Sequence, residues 1–323
     1  MQTSKRLSST AARAAQHDDV TSTRVQHLKA RAAGRSPDAQ AELLRPERPV
    51  QLRTDEEEQA ATPTIDGLAA SLAEVAPAAQ REYALENIPL ILRQAIRQGV
   101  SNAQQVAYLL ATTQHESRFG QPLYGRSESL VEDRNPYSQG ANGGLVARNH
   151  VTGGQSSGAN AQEMEQNYWD DAYGGRLGNA AGTSDGATFR GRGFVQITGR
   201  ENYQKMSRAL AEHGFTYTHD GVTYGTEENP IDLVANPTHV NEVPELAAAL
   251  LVDGAIDGRY TGLALGDYVN DEETDFYNAR AVINGDKEEN GQAIATLART
   301  YAAVLTADDA WQTLYIALTS AAP

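Results

Sequence analysis

Apolar side chains recur at helical spacing through most of the chain beyond residue 64. The clearest predicted helix has a buried face at positions i, i+3, i+4 and i+7, formed by Val106, Leu109, Leu110 and Thr113. Ser101 or Asn102 precedes this face as the N-cap, because a short polar side chain there accepts hydrogen bonds from the first helical N–H groups. The same face, continued, reaches Glu116 and places a carboxyl on the core side of the helix end.

The same periodicity predicts helices on both sides of this one. A short amphipathic segment begins at Ile65, and a helix begins near Asn87 with Pro89 at its first position, where proline is tolerated best. Gly99 ends that helix. The remaining predicted elements are helices over 203–213, 244–253, 292–305 and 307–318 and a hairpin over 215–224 around Asp220-Gly221. Together these elements predict a mainly α fold with a small β component.

One glycine-rich stretch, residues 189–203, breaks the helical pattern with the sequence FRGRGFVQITGRENY. Val195 and Ile197 alternate with Gln196 and Thr198, which predicts a half-buried strand within 190–198. Its polar face would then present an amide and a hydroxyl to a ligand or a water. A purely structural hairpin that needs its glycine pair is the alternative interpretation. The stretch lacks the spacing of a phosphate-binding loop.

Residues 1–62 differ in composition from the rest of the chain. They contain no Phe, Trp or Tyr, so they cannot bury enough apolar surface to offset the entropy of ordering. We expect a disordered tail there and a single folded domain over 63–323. A plain linker is one interpretation of the tail, and an address or docking segment is the other.

Charge and cysteine content exclude several classes of protein. The net charge is −15 although residues 1–53 are rich in arginine, so the folded domain is strongly acidic, which argues against nucleic-acid or anionic-membrane binding. The chain has no cysteine, hence no disulfide or thiolate metal site. No membrane-spanning run and no secretory signal are visible.

Glu116 carries the candidate chemistry, and two interpretations of it stay open. A carboxyl at the end of a core-facing stripe is partly desolvated and suited to donate a proton. It would otherwise be a structural glutamate paired with a core arginine such as Arg190 or Arg280. His115 is expected to be structural. The other histidines of the domain show no metal-ligand spacing; they are His150, His213, His219 and His239. We therefore expect neither a metal nor a cofactor.

Two motifs together resemble glycoside hydrolase family 19, the lysozyme-like chitinases and phage-type endolysins. The first is Gln114-His115-Glu116-Ser117, and the second is the glycine-rich stretch, which matches the family's G-R-G-x-x-Q-[IL]-[ST]-x-x-x-N-Y segment. The resemblance runs from about residue 85 to about residue 318. It implies a lysozyme-like, two-lobed helical domain with a cleft between the lobes. The tail resembles those of proteins carried by contractile injection systems.

The resemblance also implies residue roles in an inverting mechanism, in which one carboxyl protonates the leaving oxygen and a second activates water. Glu116 is implied as the acid and Glu128 as the base, with Glu132 as the alternative because the spacing from Glu116 departs from the family's pattern. Thr198 is implied to orient the attacking water. The implied substrate-binding residues are Gln196, Asn202, Tyr203, Arg280 and Asn284.

The activity implied is hydrolysis of the β-1,4 glycosidic bonds of bacterial peptidoglycan. The alternatives are a chitinase and a non-catalytic sugar-binding or structural component of a phage or injection particle. The expected partner is a peptidoglycan or chitin-type glycan. With no secretory signal in view, such a protein would be made in the cytoplasm and reach the cell wall by lysis or a specialised secretion or injection system.

Overall fold

A computed structural model describes residues 64–122, 130 and 136–320. The predicted disordered tail and both candidate bases, Glu128 and Glu132, lie outside the described residues. All described residues belong to one unit that spans Ala61–Pro323.

The fold is mainly helical with small antiparallel sheets, as the hydrophobic pattern predicted. The helices are α1 (Ile65–Ala73), α2 (Arg81–Arg97), α3 (Ala103–Ser117), α4 (Ala161–Tyr173), α5 (Asp185–Thr188), α6 (Arg200–Glu212), α7 (His239–Glu242), α8 (Pro244–Ile256), α9 (Gln292–Thr306) and α10 (Ala310–Thr319). The strands are β1 (Ser138–Gln139), β2 (Leu145–Arg148), β3 (Gln155–Gly158), β4 (Tyr217–His219) and β5 (Val222–Tyr224). They form a β1-β2-β3 sheet and a β4-β5 hairpin.

The main core surrounds α3, which packs along α9 and also contacts α2 and α8. Residues Val106–Gln114 of α3 are all buried. Helix α8 is buried continuously over Leu246–Ala255, in keeping with a sequence that is apolar all round rather than along one stripe. The element that carries Glu116 is therefore held on several sides.

The region between α3 and α6 contains more regular structure than the sequence predicted. Glycine, serine and asparagine are frequent between Ser117 and Gly186, which predicts a loop-rich region, but β2, β3 and α4 lie there and enclose a second small core. The residues of this core are Ala147, Met164, Tyr168, Trp169 and Ala172. The strands were not predicted, because β2 (LVAR) and β3 (QSSG) are four residues long, too short to show a periodicity of their own, and each depends on pairing with the other.

Pro89 lies inside α2, so the prediction of a helix start at that residue was wrong. Residues before and after it are fully buried, for example Ala84 and Ile91. The Asn87 side chain donates to the carbonyls of Tyr83 (3.1 Å) and Phe119 (2.9 Å). Burial on both sides of the proline thus outweighs its local cost, which is about 3 kcal/mol in an exposed helix interior.

The glycine-rich stretch forms a tight turn and not the predicted strand. A single antiparallel bridge joins Arg192 and Ile197 around residues 193–196. Gly193 and Gln196 have positive φ angles of 78° and 55°, which no strand allows. The predicted alternation of burial is nevertheless present, because Val195 and Ile197 are buried while Gln196 and Thr198 are partly exposed.

The predicted hairpin is confirmed as β4-β5, with Asp220 and Gly221 both at positive φ in the connecting turn. Two positive φ angles in a two-residue loop match the right-handed twist of paired strands. Within the described part of the chain, no helix combines the length and the apolar character needed to cross a membrane.

Candidate active site

Glu116 lies in the last turn of α3, where the backbone changes direction sharply. Asn102 caps the start of the helix by accepting from the N–H of Gln104 (2.8 Å), and Arg118 ends it in the left-handed region with φ of 52°. Phe119 follows with φ of 57° and is fully buried. Two successive non-glycine residues in this region persist only where packing holds them, so the end of α3 and its carboxyl have a fixed position.

Glu116 is paired with a buried arginine, as one of the two interpretations predicted. Its side chain is 19% exposed, and Arg280, which is 2% exposed, donates to Glu116 Oε1 through Nη1. The same guanidinium donates from Nε to Asp286 Oδ1 (2.5 Å) and from Nη2 to Asp286 Oδ2 (2.9 Å). One guanidinium is thus shared by two carboxylates at the edge of the core.

The electrostatics of this trio favour the ionised arginine and the ionised aspartate. Burial works to lower the pKa of Arg280, but its contacts with Asp286 and Glu116 outweigh that effect and raise it. The hydrogen bonds from Arg280 hold the pKa of Asp286 below its usual value against the opposing effect of burial. The positive charge of Arg280 is therefore a permanent feature beside Glu116.

The turn at residues 193–198 fixes two polar side chains through bonds to its own backbone. Gln196 Nε2 donates to the carbonyl of Gly193 (2.7 Å), and the Thr198 hydroxyl donates to the carbonyl of Gln196 (2.9 Å). Asn202, in the first turn of α6, donates to the carbonyl of Thr198 (2.7 Å). The Thr198 hydroxyl has no second proton, so its oxygen can only accept from a ligand. The amides of Gln196 and Asn202 each keep an oxygen and a second N–H.

Glu116 and the turn face one cleft of about 570 Å³. Five of the predicted site residues line it together: Glu116, Gln196, Thr198, Asn202 and Asn284. They come from the end of α3, the turn, the start of α6 and the segment that follows Arg280. A volume of this size suits a small-molecule or oligosaccharide segment.

Two predicted substrate-binding residues do not line the cleft. Tyr203 is fully buried; its hydroxyl accepts from Arg192 Nη1 (3.0 Å) and donates to the carbonyl of Arg190 (2.9 Å). Tyr203 therefore stabilises the base of the turn. It does not make the predicted contact with sugar. Arg280 is buried as well and reaches the cleft only through Glu116. In both cases the side chain is buried and does not reach the cleft directly.

Leu130 is bonded to the turn at residues 193–198. It lines the cleft, its carbonyl accepts from the N–H of Gly193 (2.8 Å), and its φ is 57°. Glu128 and Glu132 themselves lie outside the described residues. Both are two residues from Leu130 in sequence.

Further residues line the cleft beside the predicted site residues. Tyr173, Leu177 and Tyr260 line the cleft and add apolar surface. Burial raises the pKa of Tyr260, whose hydroxyl donates to the carbonyl of Leu250. Asp286 lies two residues after Asn284, and that proximity was the available signal for its role.

Comparison with known proteins adds nothing to this geometry: no protein-family model matches the chain, and no curated protein matches it either.

Proposed function

We propose that this protein is a glycoside hydrolase that cleaves β-1,4 bonds of bacterial peptidoglycan by an inverting, two-carboxylate mechanism. The observation that carries the proposal is the convergence of Glu116, Gln196 and Thr198 on one cleft. These residues belong to two motifs far apart in the sequence, and the motifs were paired by their resemblance to one enzyme family. A structural hairpin and an unrelated helix end would have no reason to share a cleft.

Glu116 is the proposed general acid. It is the carboxyl at the cleft that combines partial burial with a fixed backbone. Arg280 faces both Glu116 and Asp286, so the three side chains keep a negative net charge when both acids are ionised. Arg280 is also bonded twice to Asp286, so its charge keeps a partner during proton transfer from Glu116. Glu116 can then pass that proton to the leaving glycosidic oxygen.

Thr198 is proposed to hold the attacking water. Its hydroxyl proton is committed to the carbonyl of Gln196, so its oxygen can only accept from a water in the cleft. A water that donates to Thr198 and to the base keeps a lone pair free for the anomeric carbon. Gln196 donates one amide N–H to the carbonyl of Gly193, which leaves Oε1 and the second N–H to bond a hydroxyl or amide of the glycan.

The base is proposed to be Glu128, with Glu132 as the alternative. The anchoring of Leu130 beside the turn supports a carboxylate near the cleft from either side of that residue. An inverting enzyme needs about 6.5–9.5 Å between its two carboxyls to admit the water. The position of Leu130 does not discriminate between the two glutamates. Substituting each glutamate in turn is needed to decide which one is the base.

The test is turnover of purified peptidoglycan, with chitin digested in parallel and products identified by mass. Glu116→Gln should lower kcat by about 10²–10⁴-fold, the usual contribution of general acid catalysis, while circular dichroism stays unchanged. Glu201→Gln, an exposed glutamate in the first turn of α6, is the matched control and should remain active. A wild-type protein that binds glycan without releasing products would make it a non-catalytic sugar-binding protein, and cleavage of chitin alone would make it a chitinase.

A second experiment assigns the base and the stereochemistry. Glu128→Gln and Glu132→Gln are assayed separately, and the anomer released first is read by NMR. Loss of activity in Glu128→Gln alone, with an inverted first product, is the expected result. Loss only in Glu132→Gln would move the base to that residue. A retained anomeric configuration would overturn the inverting mechanism.

A further inference from the structure

His219, His239 and Glu242 form a cluster away from the cleft. One ligand atom from each of the three lies within 4.8 Å of the others. His219 ends strand β4, and the short helix α7 begins at His239 and ends at Glu242. The i, i+3 spacing places His239 and Glu242 on one face of that helix. The hairpin β4-β5 brings His219 to the same face, a juxtaposition that the spacing of histidines along the chain did not reveal.

One pair of ligand atoms in the cluster has the separation expected around a small cation, and the third atom lies close by. His219 Nε2 lies 3.1 Å from Glu242 Oε2, and the rings of His219 and His239 have centroids 4.2 Å apart. Two ligand atoms on a tetrahedral metal at about 2.0–2.1 Å are about 3.3 Å from each other. Only the separation from His239 has to shorten for all three atoms to meet one ion.

A buried tyrosine orients the central histidine. Tyr217 Oη lies 2.9 Å from His239 Nδ1, and both residues are buried. A contact at Nδ1 fixes the ring and leaves Nε2 as the nitrogen for coordination. Histidine ligands of metals usually have such a partner on their second nitrogen. Asp220 occupies the corresponding place for His219, with Oδ2 3.7 Å from Nδ1.

We propose that His219, His239 and Glu242 bind one divalent transition metal of the zinc class. Two imidazoles and one carboxylate are borderline ligands that suit Zn²⁺ over Mg²⁺ or Ca²⁺. The exposed side of Glu242, which is 42% exposed, leaves room for water as the fourth ligand. The metal would clamp the β4-β5 hairpin to α7.

This clamp would act behind the active-site turn. None of its three residues lines the cleft, but Val240 of α7 packs against Gly193, where an added Cβ would lie 3.1 Å from Val240 Cγ1. The metal would therefore support the backbone beneath Gln196 and Thr198 and would take no part in the chemistry. Its existence can be tested without any assay of hydrolysis.

The experiment is titration of the full-length protein with Zn²⁺ after removal of metals by EDTA and desalting. Calorimetry gives stoichiometry and affinity, and Co²⁺ as a substitute gives a visible spectrum that reports tetrahedral nitrogen and oxygen ligands. We expect one tight site per chain in the wild type and a rise in Tm on addition of Zn²⁺. His219→Asn and Glu242→Gln should each weaken that site by more than about 100-fold, beyond the effect of losing an outer contact.

Tyr217→Phe tests the orienting contact and should weaken Zn²⁺ binding by about 10–100-fold. His150→Asn is the matched control, because His150 Nδ1 also lies within 2.6 Å of a tyrosine hydroxyl, that of Tyr168. It should leave the tight site intact. The proposal is overturned if the wild type has no stoichiometric site. It is equally overturned if both ligand variants, which change partly exposed side chains, keep the wild-type affinity.

Discussion

Replacing Arg280 with methionine should destabilise the protein substantially, because it leaves two carboxylates without their shared partner. Arg280 makes one hydrogen bond to Glu116 and two to Asp286. Bonds to charged groups contribute about 1.5–3 kcal/mol each, but Glu116 and Asp286 are 19% and 28% exposed and recover part of that from water. Removing one member of a buried ion pair costs about 3–5 kcal/mol, and we expect the lower end, about 3 kcal/mol.

The pH dependence gives the prediction its sign. The pKa of Asp286 is held low by Arg280, so the folded protein binds this proton less readily than the unfolded chain does. The stabilisation is fully present above about pH 4, the value for a free aspartate, and is lost as the pH falls through the folded pKa. Arg280→Met removes this contribution, so the difference between variant and wild type should be largest at neutral pH and shrink below about pH 4.

Urea unfolding at several pH values measures both quantities, and Tm should fall by about 6–12 °C at neutral pH. Arg93→Met is the matched control, because Arg93 also pairs with one aspartate, Asp66, but the two side chains are 51% and 79% exposed. It should cost about 1 kcal/mol or less. A loss below about 1 kcal/mol in Arg280→Met, or an equal loss at pH 7 and pH 3.5, would refute the argument that the shared ion pair stabilises the site.

Three further predictions follow from the site and the fold. Thr198→Val should lower kcat with little change in KM, because it removes the water acceptor and keeps the shape; a collapse of affinity with kcat intact would show that Thr198 contacts sugar. Gly199→Ala should lower the free energy of unfolding in urea by more than about 2 kcal/mol, because φ is 92° and the added Cβ would lie 2.3 Å from Leu177 Cβ. Gly143→Ala is its control: φ is 81° but nothing lies near the added Cβ, so the backbone angle alone should cost about 1 kcal/mol. Removal of residues 1–60 should leave hydrolysis of isolated cell wall unchanged, and an inactive or unfolded truncation would show that the tail completes the enzyme.

The sequence by itself determined the elements whose signal is local. The stripe of α3 and its Asn102 cap, the Asp220-Gly221 hairpin and the apolar helix α8 were all predicted, and all are present. Each depends on side chains within a few residues of one another. The same local patterns brought Glu116, Gln196 and Thr198 forward as candidates, because a carboxyl on a core face and polar groups beside a glycine pair are unusual.

The tertiary structure decided everything that depends on distant partners. Pro89 remains helical because buried neighbours hold α2 together on both sides. The predicted strand at 195–198 is a turn, since Gln196 bonds back to Gly193 and the N–H of Gly193 is taken by Leu130.

The direction of each side chain at the site was also decided by packing. Tyr203 turns into the core, and Arg280 joins Glu116 across a separation of 164 residues. Likewise, His219 meets His239 and Glu242 only because a hairpin folds onto a short helix. Local spacing in the sequence cannot predict these long-range contacts, because the contacts depend on how the residues between the partners are buried.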